Sequence, residues 1–307
     1  MKAVAVDQTF MGQLRSRWSE ADTLLCIGLD GELERLPLSV RAGQTGLLSL
    51  GEEREGSTVE GSLVSFHQAI IDATADLVCA YKPNAAFFEA HGPAGLRALI
   101  RLIAYVHARY PSVPVLLDAK RGDIGSTSEA YARAAFDVCD ADAITLNPYL
   151  GGEALTPFLE RGERGAFIIC RTSNPGSAEL QEMRVSSPDG LGYEPLYIAL
   201  ARRVASEWNA NGNCGLVVGA TYPDEIAQVR AVVGDMPLLV PGIGTQGGDL
   251  EGTLRAGLDS VGQGLLISAS RSVIYASSGL DFAQAARREA KRLNQEINRL
   301  RDRWRRS

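Results

Sequence analysis

Eight short apolar runs recur along the chain, at 24–30, 77–84, 113–120, 143–148, 165–172, 214–220, 237–243 and 261–270, and each is near-continuous rather than alternating. A strand with one wet face alternates, whereas a strand covered on both faces does not. Between the runs lie stretches of helical character at 60–75, 93–109, 126–138, 195–209, 223–233 and 247–257. Alternation of this kind specifies a parallel sheet. Eight repeats favour closure into a (β/α)8 TIM barrel of the α/β class over an open doubly wound sheet. A chain of 307 residues, 45% hydrophobic, fills such a barrel as one domain over 1–307.

Two connections are long. Residues 31–59, after the first strand, are rich in Gly, Glu and Ser and read as a surface insertion. Residues 174–192, after the fifth, are a loop interrupted by several breakers that follows polar Ser173, and they read as a lid. The C-terminal segment 281–306 places Phe282, Leu293, Ile297, Leu300 and Trp304 at helical spacing among Arg and Lys, which makes an amphipathic helix for the barrel or a partner.

Composition excludes several functions. A net charge of -6 argues against a nucleic-acid binder, which needs a basic footprint, but leaves room for one small phosphate ester. The start of the chain has no sustained apolar stretch, and no run is long enough to span a membrane. Cys26, Cys79, Cys139, Cys170 and Cys214 are scattered without a C-x-x-C pair, and four of them lie in apolar runs. Reduced thiols in a cytoplasmic protein are expected. With three histidines and no Cys/His cluster, no metal site is expected.

The strand ends carry the polar residues. Asp30 closes the first run, Lys82 the second, Asp118 and Lys120 the third, Asn147 the fourth, and Thr172 and Ser173 the fifth; Gln246 follows the seventh and Arg271 the eighth. Carboxyl ends of parallel strands are where barrel active sites are built. Period-two geometry puts Asp118 and Lys120 on one face, and Asp123 follows between Gly122 and Gly125, which permit tight turns. Two lysines and two aspartates together suit a substrate anion and the delivery of a proton.

PGIGTQGG at 241–248 contains a G-x-G-x-x-G, but no carboxylate closes the next strand as dinucleotide binding requires. Gly244 and its neighbours instead occupy the seventh βα turn, a place for phosphate on backbone amides, with Arg271 as the charged partner.

The segment DAKRGDIGST resembles the D-x-K-x-x-D-I-x-x-T signature of the orotidine 5′-phosphate decarboxylase family, most of all its bacterial subgroup with a longer chain. CIGLD, YKPN, TLNPYLGGEAL, RTSNPGS, VPGIGTQGGD and SRSVIY extend the likeness from Leu24 to Tyr275. The resemblance implies decarboxylation of orotidine 5′-monophosphate (OMP) to uridine 5′-monophosphate (UMP) without a cofactor. It implies that Asp30 and Lys82 hold ribose hydroxyls, that Asp118 faces the departing carboxylate, and that Lys120 protonates C6. Asp123 and Thr127 would complete the site of a second subunit in a homodimer. Ser173 would read the pyrimidine amide edge, Gln246 would bridge base and phosphate, and Arg271 would bind the phosphate. Many relatives carry Gly before this arginine; Ser270 stands here, with less room near the phosphate. The rival on the same barrel is a metal-dependent sugar-phosphate decarboxylase or aldolase, in which an acid typically replaces Lys82. A non-catalytic phosphate-ligand binder is a further alternative.

Overall fold

The computed structural model describes residues 7–41, 59–188, 190–243 and 249–304. Its strands, in chain order, are β1 (Leu25–Gly28), β2 (Ala80–Lys82), β3 (Leu116–Arg121), β4 (Ala143–Leu146), β5 (Gly165–Arg171), β6 (Arg184–Ser186), β7 (Tyr193–Pro195), β8 (Cys214–Val218), β9 (Leu238–Pro241) and β10 (Leu265–Ala269). All eight apolar runs are therefore strands. They form one parallel sheet in the order β2-β1-β10-β9-β8-β5-β4-β3. Two isolated bridges, Tyr81↔Val115 and Asn84↔Asp118, join its ends and make a nearly closed (β/α)8 TIM barrel. Every residue of β1, β4, β8 and β10 is buried, which is why these runs do not alternate.

The helices expected between strands are present, and two of them end in a π turn, Ala134–Val138 and Val204–Trp208. Unanticipated is the helix Phe10–Ser19, capped by Thr9, whose Oγ1 accepts from the Gly12 N–H at 3.1 Å. It buries Phe10, Met11, Leu14 and Trp18, and Phe10 meets Phe167 edge to face at 5.7 Å. A Cβ on Gly165 would lie 2.5 Å from the Phe10 ring, so only glycine admits this plug.

The helix Phe282–Trp304 buries Phe282, Leu293, Ile297 and Leu300 and packs on the helix Val59–Thr74 of the same chain. The side chain of Trp304 lies outside the described part, as do residues 42–58 of the long first connection. The long fifth connection is more ordered than a plain loop. It holds a 3-10 turn at Pro175–Ser177, a short helix at Ala178–Gln181, and β6, which pairs antiparallel with β7 as Arg184↔Pro195, Val185↔Glu194 and Ser186↔Tyr193. Cys26, Cys79, Cys170 and Cys214 are free and buried. Among the described residues no helix is long and apolar enough to cross a membrane.

Candidate active site

Asp118 is the centre of the charged cluster. Lys82, at the tip of β2, reaches across the barrel's closing edge to its Oδ2 at 3.1 Å, and the Lys120 ammonium lies 2.6 Å from its Oδ1. Thr145 of β4 donates its hydroxyl to the same Oδ1 at 2.8 Å. Burial pushes the Asp118 carboxyl up, but Lys82, Lys120 and the bond from Thr145 outweigh burial and hold it well below the usual carboxylate range. Burial opposes the charge of Lys82 as well, and the carboxylates of Asp30 and Asp118 more than reverse that, so its pKa is raised. Both groups are thus ionised at neutral pH although both are buried. The Lys120 side chain is half exposed and faces the mouth.

Strict alternation fails at Lys120. The β3–β4 register shifts between Leu117 and Arg121, and Lys120 has φ 49°, in the left-handed region. For a residue with a Cβ this costs about 1–3 kcal/mol and persists only where the surroundings dictate it. Here the Lys120 N–H donates to Thr145 Oγ1 at 3.0 Å, so one hydroxyl fixes both the backbone of the lysine and the carboxylate it faces. Sequence reasoning missed Thr145 because a β-branched residue in an apolar run is read as a strand former.

Asp30 and Ser270 meet beside this cluster. The Asp30 carboxylate accepts from the Asn84 N–H at 3.2 Å and from Ser270 Oγ at 2.7 Å. The side chain of Ser270 is therefore turned towards Asp30. His67 accepts from the Gly31 N–H at Nε2 (3.1 Å) and donates from Nδ1 to Leu63 O (2.8 Å). Burial lowers this imidazole to about 4, so it is neutral. Tyr275 accepts from the Glu32 N–H at 2.6 Å. Three successive residues after β1 are pinned in this way.

The remaining expected residues fall into four groups. Ser173 sits just past β5 at the mouth, over Gly219, where a Cβ would lie 2.8 Å from the Ser173 Cβ. Arg271 is exposed after β10 and has no ion pair among the described residues. Asp123 and Thr127 are not joined to the array: Asp123 Oδ1 accepts from the Ile124 N–H at 2.7 Å, and Thr127 is exposed on the helix Gly125–Arg133. Among the described residues Asp123 pairs with neither lysine. The glycines there behave as expected, since a Cβ on Gly122 would meet Asn147 O at 2.5 Å and Gly125 has φ 51°. Gly244 and Gln246 lie outside the described residues. Among those described, no group of three or more His, Cys, Asp or Glu is placed to hold a metal ion.

The arrangement is that of an acid–base site on a barrel: a lysine held by a carboxylate that a second, buried lysine keeps ionised. Residues 23–288 match the family model described as orotidine 5'-phosphate decarboxylase / HUMPS family. This chain belongs to that family. Among decarboxylases of the family, it is 49% identical over 289 residues to the orotidine 5'-phosphate decarboxylase of Azoarcus sp., covering 94% of this chain and 98% of that one. It is 54% identical over 274 residues to that of Roseiflexus sp., covering 89% and 92%. The solved structure of Leishmania donovani OMP decarboxylase superposes with a TM-score of 0.76 at 38% identity, covering 95% of this chain and 98% of that one.

Proposed function

We propose that the chain, as one barrel unit, decarboxylates OMP to UMP and protonates C6, with no metal or organic cofactor. The observation that carries this is the Lys82–Asp118–Lys120 array at the carboxyl ends of the strands, in a chain of this family. Breaking the bond from C6 to the carboxylate carbon leaves its electron pair on C6 and releases CO2. That carbanion has little resonance relief, so its stabilisation must be electrostatic. Lys120, already oriented by Asp118 and Thr145, supplies positive charge where the negative charge develops and then gives the proton. Asp118 faces the substrate carboxylate and disfavours it in the ground state.

Asp30 and Lys82 take the ribose hydroxyls, and Ser173 the amide edge of the base. Gln246, Gly244, Ser270 and Arg271 hold the phosphate side. Arg271 is suited to this because its guanidinium is exposed and unengaged by any described carboxylate. Phosphate binding far from C6 supplies energy for organising the reacting end. The segment 174–192 serves as the lid.

The working unit is a homodimer with shared sites. Asp123 pairs with neither lysine of its own array among the described residues, Thr127 is exposed, and exposed Ile124, Tyr149 and Leu150 lie on adjoining loops beside them. A two-fold contact there carries both residues to the neighbour's mouth. The enzyme is assigned to the cytoplasm, without nucleic-acid or membrane partners. The test is the loss of OMP absorbance on adding purified protein. Wild type is expected to turn over equally with and without EDTA, and loss of activity in EDTA supports the metal-dependent rival. Lys120→Ala is expected to stay folded and lose several orders of magnitude, since a single oxyanion-type donor alone is worth about 10²–10³. Retention of about a tenth of wild-type turnover overturns the role given to Lys120.

A further inference from the structure

Arg171 closes β5 with its side chain almost wholly buried, and the chemistry above gives it no part. A buried guanidinium demands partners on all sides, and it has them from two separate parts of the chain. Its Nε and Nη2 hold the Glu225 carboxylate at 2.5 and 3.2 Å, on the barrel helix Pro223–Val233. Its Nη2 also donates to Glu182 at 2.5 Å, and its Nη1 to Ser177 Oγ at 2.5 Å and Gln181 Oε1 at 3.3 Å, all in the connection after β5. Gln181 in turn accepts from the Thr172 N–H at 2.8 Å and donates to Thr172 Oγ1 at 2.8 Å. The Arg171 carbonyl accepts from the Gly219 N–H at 2.8 Å. Residues 171–172 are thereby fixed on both sides, immediately before Ser173.

We propose that Arg171 is the positioning residue of Ser173, anchored to the barrel through Glu225 and to the lid segment through Glu182. The inference rests on the reading of Ser173 as a contact to the pyrimidine. The two arms differ: the Glu225 side chain is 19% exposed and that of Glu182 is 46% exposed. Glu225 is the permanent anchor, and Glu182, competed for by water, is the arm that lets go when the lid segment moves. A planar fork serves both carboxylates at once, which a lysine ammonium on a flexible stem does not.

The experiment is a double-mutant cycle on UMP affinity, with ribose 5-phosphate as a ligand that lacks the base. Ser173→Ala is expected to weaken UMP about three- to tenfold, the worth of one neutral hydrogen bond. Arg171→Lys, which keeps the charge, is expected to weaken UMP to a similar extent and leave ribose 5-phosphate unchanged. In the Ser173→Ala background the same lysine substitution is expected to add less than about twofold, because the contact it would misplace is gone. Glu182→Gln, at the exposed arm, is expected to repeat the pattern more weakly and keeps the inference testable should Arg171→Lys fold poorly. Additive losses in the cycle, or equal losses for both ligands, overturn the positioning role while leaving Ser173 as a contact. If Ser173→Ala binds UMP like wild type, the reading of Ser173 itself is wrong, and the inference falls with it.

Discussion

Thr145→Val removes one oxygen atom and keeps the shape of the side chain. Thr145 Oγ1 lies 2.8 Å from Asp118 Oδ1 and 3.0 Å from the Lys120 nitrogen. A hydrogen bond to a charged group contributes about 1.5–3 kcal/mol and a neutral one about 0.5–1.5 kcal/mol. Asp118 keeps both lysines in the variant, and the Lys120 end of β3 is open to water, so the low end of each range applies. The expected loss of stability is about 2 kcal/mol, readable as a shift of the urea midpoint at unchanged slope. The effect on rate has a different origin. Lys120 holds φ 49° against its own preference, and the bond its N–H donates to Thr145 Oγ1 is what secures it. Each ~1.4 kcal/mol of lost transition-state positioning costs about tenfold, so kcat is expected to fall about ten- to thirtyfold while UMP binds nearly as before. Thr145→Ser restores the hydroxyl and is expected to restore the rate. The assay is OMP absorbance at 25 °C on protein shown to be folded by circular dichroism. A valine variant within about twofold of wild type, or a serine variant as slow as the valine one, refutes the coupling between Thr145 and Lys120.

Arg271→Ala is expected mainly to weaken substrate capture, by about 1.5–3 kcal/mol, with UMP inhibition weakening in parallel; unchanged UMP affinity places the phosphate elsewhere. Mixing inactive Asp123→Ala with inactive Lys120→Ala is expected to return about a quarter of wild-type activity, since about half the dimers are mixed and each carries one intact site. No recovery despite demonstrated subunit exchange assigns Asp123 to its own chain. Burial holds His67 at about 4 against an ordinary 6.5, so between these values the unfolded chain binds more protons and stability rises with pH. About 3 kcal/mol is lost as pH falls from 6.5 through 4; His67→Gln is expected to flatten that slope in urea titrations, and equal slopes count against it.

The barrel was legible because eight strands buried on both faces cannot be written without eight continuous apolar runs. Lys82, Asp118 and Lys120 were legible because ionisable groups at the ends of such runs have no place in a core. What the sequence concealed depends on contacts distant along the chain. Arg171 ends an apolar run and reads like any strand end until Glu225, 54 residues on, is seen against it. Thr145 has no individual signal, because a hydroxyl becomes a bracket only when Lys120 adopts a left-handed backbone beside it. The pairing of β6 with β7 was hidden by Pro188, Gly190 and Gly192, whose breaker character marks the turn between two strands too short to show a period. The Phe10–Ser19 helix did carry a signal: Thr9 as cap and Phe10, Leu14 and Trp18 four apart.

Every neighbouring pair of barrel strands shares a ladder except β2 and β3, which touch through two bridges and the Lys82–Asp118 ion pair. This seam is where the sheet has least to lose by opening, so sub-global openings of the barrel start there. Amide exchange at Tyr81 and Asp118, whose N–H groups bond across it to Pro114 and Pro83, reports that opening directly. A ligand engaging Asp30 and Lys82 on one side and Asp118 and Lys120 on the other binds only the shut form and draws the equilibrium towards it. Occupancy of the mouth and closure of the barrel are then a single transition, and the exchange rates of those two amides measure ligand affinity without any chemistry taking place.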